Sequence, residues 1–152
     1  MDTFFLKLYN DMLLAIKRGN GVSGKSNAKP ILLLSIMECV SLNKLRENRI
    51  MWDDVALLEC YSSFNRYFLE DNKSPMSVPY YHLGSSPFYH LIWKDQKNRP
   101  PIKGKTPSEK YLRENLLYAC LDEELWSLLN SADSREYLRR NIILRYFTNI
   151  QQ

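Results

Sequence analysis

Residues 19–34 read GNGVSGKSNAKPILLL, and the two halves of this stretch point to different folds. Gly19, Gly24, Lys25 and Ser26 fit the phosphate-cradling pattern G-x-x-x-x-G-K-[ST] without a mismatch. The pattern works only where a buried strand enters the glycine loop and a helix N-terminus leaves it, within a parallel βαβ sheet. The residues ahead of Gly19 do not read as that strand. Phe5, Leu8, Met12, Ala15 and Ile16 recur at helical spacing between Asp2 and Arg18, with Lys17-Arg18 in the last turn and Gly19 as a stop. Residues 116–122, LLYACLD, imitate the acidic strand that holds magnesium in such folds, yet merge with a helical pattern. P-loop nucleotide binding therefore stays an alternative that its context disfavours. The second half predicts a different structure. Pro30 suits the first turn of a helix, where an N–H has no partner anyway, and Ser26 or Asn27 is placed to cap it. From Ile31 to Leu42 the chain is apolar on almost every side, which predicts a central, buried helix behind a flexible basic loop at 19–29.

Working outward, Arg49–Met51 reads as a short strand, and Trp52-Asp53 as the opening of a third helix with Val55, Leu58, Tyr61, Phe64 and Phe68 inward. Two aromatic runs, Val78–Leu83 and Phe88–Trp93, flank Gly84-Ser85-Ser86-Pro87 and predict a β-hairpin. Lys94–Ser108 reads as a linker-like loop. Glu109–Ala119 is expected as a helix. Asp122 is expected to cap a short one with a Leu121–Trp126 staple, and Asp133 with Glu136 to cap a terminal helix carrying Leu138, Ile142 and Tyr146 on one face. The expected fold is mainly α with a small β-hairpin: a winged-helix-like core plus C-terminal helices, in one domain over residues 1–152.

Composition agrees with a globular chain. It has 152 residues, 45% hydrophobic, 25% charged and 12% aromatic, enough for a core without disulfide or metal staples and too apolar for disorder. The longest nearly apolar run is too short to span a bilayer, and the N-terminus lacks the pattern of a secretory signal, so the expected location is the cytoplasm. Cys39, Cys60 and Cys120 are widely spaced within apolar patterns and read as buried, reduced thiols. The net charge of +4 is mild, but residues 73–113 hold eight basic and two acidic side chains around the aromatic segment. Such local enrichment suits a polyanion-binding face. His82 and His90 are the only histidines, on opposite arms of the expected hairpin with no ligand-spaced Cys or carboxylate beside them. With no nucleophile elbow or zincin motif either, neither a catalytic site, a metal nor a cofactor is expected.

Lys29-Pro30-Ile31-Leu32-Leu33-Leu34, Val78-Pro79-Tyr80-Tyr81-His82-Leu83 and Phe88-Tyr89-His90-Leu91, in that order and spacing, resemble the DNA sulfur-binding domain that precedes the HNH nuclease domain in McrA-like restriction endonucleases. The resemblance runs over roughly residues 3–148. It implies a DNA face made by the loop before the buried helix and by the proline-aromatic segment. On this chain those positions are Arg18, Lys25, Ser26, Asn27, Ala28, Lys29, Val78, Pro79, Tyr80, Tyr81 and His82, with Lys103 and Lys105 as further phosphate contacts. A phosphorothioate sulfur is larger, more polarisable and a poorer hydrogen-bond acceptor than the oxygen it replaces, so a small apolar surface around Pro79 would favour it by about 1 kcal/mol. The chain departs from the family at Ala28, where a histidine usually precedes Lys-Pro, and at Val78, where a tyrosine precedes the proline. The HNH signature is absent, so the resemblance implies a non-catalytic DNA reader for a restriction or defence system, partnered by an HNH nuclease domain or subunit. The alternative of a different class is a protein-interaction domain that uses the aromatic hairpin.

Overall fold

The apolar run after Lys29 makes the helix around which the rest of the chain packs. A computed structural model describes residues 3–21, 24–68, 70, 74–98 and 105–147. In chain order the elements are α1 (Thr3–Leu13), β1 (Asn20–Gly21), β2 (Gly24–Lys25), α2 (Ala28–Ser41), α3 (Val55–Tyr67), α4 (Ser77–His82), β3 (Tyr89–Trp93), α5 (Glu109–Asn115), β4 (Leu116–Leu121), α6 (Glu123–Leu129) and α7 (Ala132–Phe147). Helix dominates, with two small antiparallel pairings among the described residues, β1 with β2 and β3 with β4.

Every residue of α2 from Pro30 to Met37 is buried, and α3, α4 and α7 pack against it. Each fully buried Leu or Ile there contributes about 1.5–3 kcal/mol. Pro30 is the third helical residue, so its missing N–H costs no intrahelical bond. The buried Ser35 hydroxyl donates to the Ile31 carbonyl at 2.7 Å. At the far end Asn43 takes φ 60°. There the Lys44 N–H reaches the Cys39 carbonyl (2.8 Å) and the Asn43 N–H the Val40 carbonyl (3.0 Å), a Schellman stop that uses asparagine's tolerance of left-handed backbone.

α3 starts one residue later than expected because Asp54, not Asp53, caps it, its Oδ1 accepting from the Leu57 N–H at 2.9 Å. Asp54→Ala is expected to lower stability by about 1 kcal/mol, measurable by urea denaturation. Tyr61, Phe64 and Phe68 face inward as expected, joined by Leu57, while Val55 and Leu58 are exposed. Phe68 stacks on Phe147 of α7 with centroids 4.2 Å apart. On α7, Leu138, Ile142 and Tyr146 share the buried face, as the sequence predicts. That helix begins at Ala132, so Asp133 lies inside it rather than capping it. α1 is shorter than expected, ending at Leu13. The Tyr146 hydroxyl takes the Leu13 carbonyl (2.8 Å) and accepts from the Ile16 N–H (3.2 Å), tying the departing chain to α7.

The expected hairpin at 78–93 is not formed. Val78–Leu83 is helical, because Ser77, Tyr80 and Leu83 repeat every three residues and turn one side of α4 and its following turn into the core. Phe88 onward finds its partner much later in the chain: β3 pairs with β4 in the register Tyr89↔Leu121, His90↔Cys120, Leu91↔Ala119. The winged-helix expectation is thereby left without its wing. Glu109–Ala119 is correspondingly not one helix. α5 stops at Asn115, and Leu116–Leu121 extends into the sheet. Ile50, expected in a strand, contributes a single bridge to Ala119 on the other edge of β4. Of the three thiols only Cys39 is fully buried, Cys60 and Cys120 being half-buried. No helix among the described residues is long and apolar enough to cross a membrane.

Candidate nucleic-acid interface

Segments distant in sequence meet at the N-terminal end of α2. The short β1–β2 hairpin folds the glycine loop back on itself, and the Ser26 N–H donates to the Gly19 carbonyl at 2.7 Å. Ser26 Oγ in turn accepts from the Ala28 N–H at 3.2 Å, closing the first turn of α2. Asn27 occupies the cap position without capping. Its amide oxygen accepts from Arg18 Nη1 at 2.7 Å, and its Nδ2 donates to a Glu70 carboxylate oxygen and to the Tyr146 carbonyl. The Arg18 guanidinium lies 4.8 Å from the Tyr146 ring centroid. Arg18 and Asn27 therefore brace the loop against α7.

Lys29 does something else. Its Nζ donates to the Lys17 carbonyl at 2.7 Å, and its ammonium is held below the ordinary lysine pKa first by burial and then by the Lys17 charge. Lys29's charge also reaches His82 at the end of α4, whose imidazole is held below its usual value by burial and then by Lys29. His82 Nε2 shares a hydrogen bond with Thr106 Oγ1 at 2.7 Å, next to the exposed Lys105. Lys17, Lys29, His82 and the 105–106 segment thus share one patch, in which like charges oppose one another and an anion would relieve the crowding. The loop's exposed Lys25 is close to them in sequence.

On α4 the helical period decides which side chains face outward. Val78, Tyr81 and His82, spaced i, i+3, i+4, are half-buried, with the Tyr81 and His82 rings edge to face at 5.0 Å. Pro79 and Tyr80, expected on the DNA face, are buried, as is Ala28 at the start of α2. Tyr80 is 0% exposed, its hydroxyl donating to the Ile50 carbonyl at 2.5 Å while its own carbonyl accepts from Tyr89 at 2.6 Å. These three are packing residues, and the apolar surface on this face comes from Val78 and Tyr81. Lys103 lies outside the described residues. Lys17 and Thr106 were missed by sequence reasoning. Lys17 carried a signal, its place beside Arg18 in the basic run; Thr106 carried none.

The alternatives lose their geometry. A helix, not a strand, precedes the glycine loop, β1 and β2 pair antiparallel with each other, and the Ser26 amide that a phosphate nest would need is spent on Gly19. Asp122, the candidate magnesium carboxylate, stands at the expected cap position of α6 without a side-chain cap bond, its carboxylate accepting from the Tyr9 hydroxyl at 2.7 Å and bonding His90 Nε2 at 2.5 Å. Burial, followed by the Asp122 bond and charge, pushes the Tyr9 phenol up. Among the described residues no cluster of three or more His, Cys, Asp or Glu is placed to hold a metal. The aromatic hairpin of the protein-interaction reading does not exist: Tyr80, Phe88, Tyr89 and Trp93 are buried in the core.

The overall arrangement is the fold of DNA sulfur-binding domains. The chain superposes on the sulfur-binding domain of ScoMcrA complexed with phosphorothioated DNA with a TM-score of 0.68 at 15% identity, covering 91% of this chain and 87% of that one. It likewise matches the sulfur-binding and SRA domains of ScoMcrA complexed with phosphorothioated DNA, with a TM-score of 0.69 at 16% identity, spanning 42% of that longer chain. Identities this low establish the fold alone. No family model and no curated protein matches the chain.

Proposed function

We propose that this chain is a non-catalytic DNA-binding module of a restriction or defence system that reads phosphorothioate-modified duplex. The observation that carries the reading is the crowding of Lys17, Lys29 and His82 at the N-terminal end of α2, on a fold shared with proteins solved on such DNA. Lys17, Lys25, Lys29 and Lys105 take phosphates, a sequence-independent role. The half-exposed surface of Val78 and Tyr81 takes the sulfur in place of the expected Pro79. Burying a few tens of Å² there is worth about 1 kcal/mol, or roughly fivefold in affinity. Cleavage belongs to an HNH nuclease domain or subunit.

Fluorescence anisotropy with matched duplexes, one unmodified and one with a single phosphorothioate, tests the reading directly. Tighter binding of the modified duplex is expected; equal binding would leave a general DNA module, and no binding of either would remove the function. Proton linkage supplies a second readout. In the free protein His82 resists protonation, and a phosphate brought against it raises its pKa, so binding takes up a proton. Affinity should therefore rise as pH falls from about 7.5 to 5.5, by at most about one log unit per pH unit, and His82→Gln should flatten that dependence. A wild-type profile that is flat, or a slope that survives the substitution, would place His82 off the DNA.

A further inference from the structure

Cys39 on α2 and Cys60 on α3 are free thiols whose sulfurs stand 3.8 Å apart. Their separation in sequence and placement on different helices hide the pair from any spacing rule. The two differ in access. Cys39 is 2% exposed. Cys60 is half-buried and lines an open groove of about 760 Å³ beside Glu38, Phe64 and Arg139, where a small molecule can approach its sulfur. A disulfide requires the sulfurs to close to about 2.05 Å.

We propose that Cys39 and Cys60 form an oxidisable dithiol, converted by a low-molecular-weight disulfide into an intramolecular bond that clamps α2 to α3. The accessible Cys60 thiolate attacks one sulfur of the small disulfide, forming a mixed disulfide and expelling the other half as thiolate. Cys39 Sγ then gives its proton to that thiolate or to solvent and attacks Cys60 Sγ, expelling the second half as thiolate. Two electrons pass from the cysteine pair to the small disulfide, which leaves as two thiols. Burial and the adjacent Cys60 push the Cys39 thiol up, so the accessible Cys60 meets the small disulfide first and Cys39 acts second. Its low thiolate fraction is offset by the proximity of the sulfur it attacks. Cys120, half-buried on β4, is the internal control, since the 3.8 Å sulfur contact joins the other two thiols.

The test treats the folded chain with oxidised glutathione, alkylates free thiols, and combines intact mass with peptide mapping. The expected product has lost two hydrogens, carries a Cys39–Cys60 cross-link and retains Cys120 as a separately modified residue. Cys39→Ser should trap glutathione on Cys60, Cys60→Ser should abolish the cross-link, and Cys120→Ser should leave it intact. A wild-type chain that stops at the mixed disulfide, or keeps Cys39 and Cys60 alkylatable while folded, overturns the proposal. So does a Cys39→Ser chain with no glutathione on Cys60.

Discussion

Tyr80→Ala is expected to destabilise the fold by about 3–5 kcal/mol, the cost of deleting a large ring from a closed core. The ring is fully buried, packs edge to face on Tyr89 at 6.2 Å, and its hydroxyl holds the carbonyl of Ile50. Ile50 in turn makes the bridge to Ala119 on β4. The substitution therefore opens a cavity and removes one of the two donors to the Ile50 carbonyl, which keeps the Ala119 N–H at 2.9 Å, a compound effect that denaturant titration resolves easily. Tyr80→Phe keeps the ring and removes only the hydroxyl, so it should cost about 1–2 kcal/mol and leave duplex affinity at the wild-type value. This contrast separates packing from contact: weakened binding by a folded Tyr80→Phe protein would return Tyr80 to the DNA face. A loss below about 1 kcal/mol for Tyr80→Ala would contradict its burial.

Tyr80 also shows why part of the fold was legible in the sequence and part was not. Read as a strand, Val78–Leu83 sends Tyr80 and His82 to the same side; read as a helix, it groups Val78, Tyr81 and His82 instead. Six residues containing one proline and two tyrosines satisfy either period, and the choice depends on what lies opposite. Here α2 offers a continuous apolar wall for Tyr80 to enter. The freed aromatic run then pairs with Leu116–Leu121, whose LLYACL reads equally well as the end of a helix. Both errors share one cause, since a strand's identity is decided by a partner that local pattern does not reveal. The buried α2 and the inward face of α7 were legible because their patterns are long and independent of any partner. Of the site, Lys29 and His82 could be named from sequence, but their electrostatic coupling could not. The resemblance names Arg18 and Asn27 as DNA-face positions, while their contacts with Glu70 and Tyr146, more than forty residues on, are of a kind that no local pattern reveals.

The largest effect on binding should come from salt. If Lys17, Lys25, Lys29 and Lys105 each meet a phosphate, log affinity should fall against log salt with a slope of about −3.6, some two orders of magnitude between 50 and 200 mM. Lys29→Ala should reduce the slope by about 0.9 and weaken binding roughly tenfold at intermediate salt. Lys29 is worth more than an average surface lysine because its ammonium is partly buried and pressed by Lys17, so the free protein holds it at a cost that an anionic partner offsets. Lys17→Ala should show the same loss of slope with a smaller loss of affinity, since that substitution also relieves Lys29. Lys44 provides the decisive comparison. It is exposed just beyond the C-terminal end of α2, about 20 Å from Lys29 along a helix of that length, and carries the same charge. If the duplex lies on the N-terminal end of α2, Lys44→Ala leaves both slope and affinity unchanged. If Lys44→Ala and Lys29→Ala instead cost the same, binding follows net charge and not this face, and the interface assigned here is wrong.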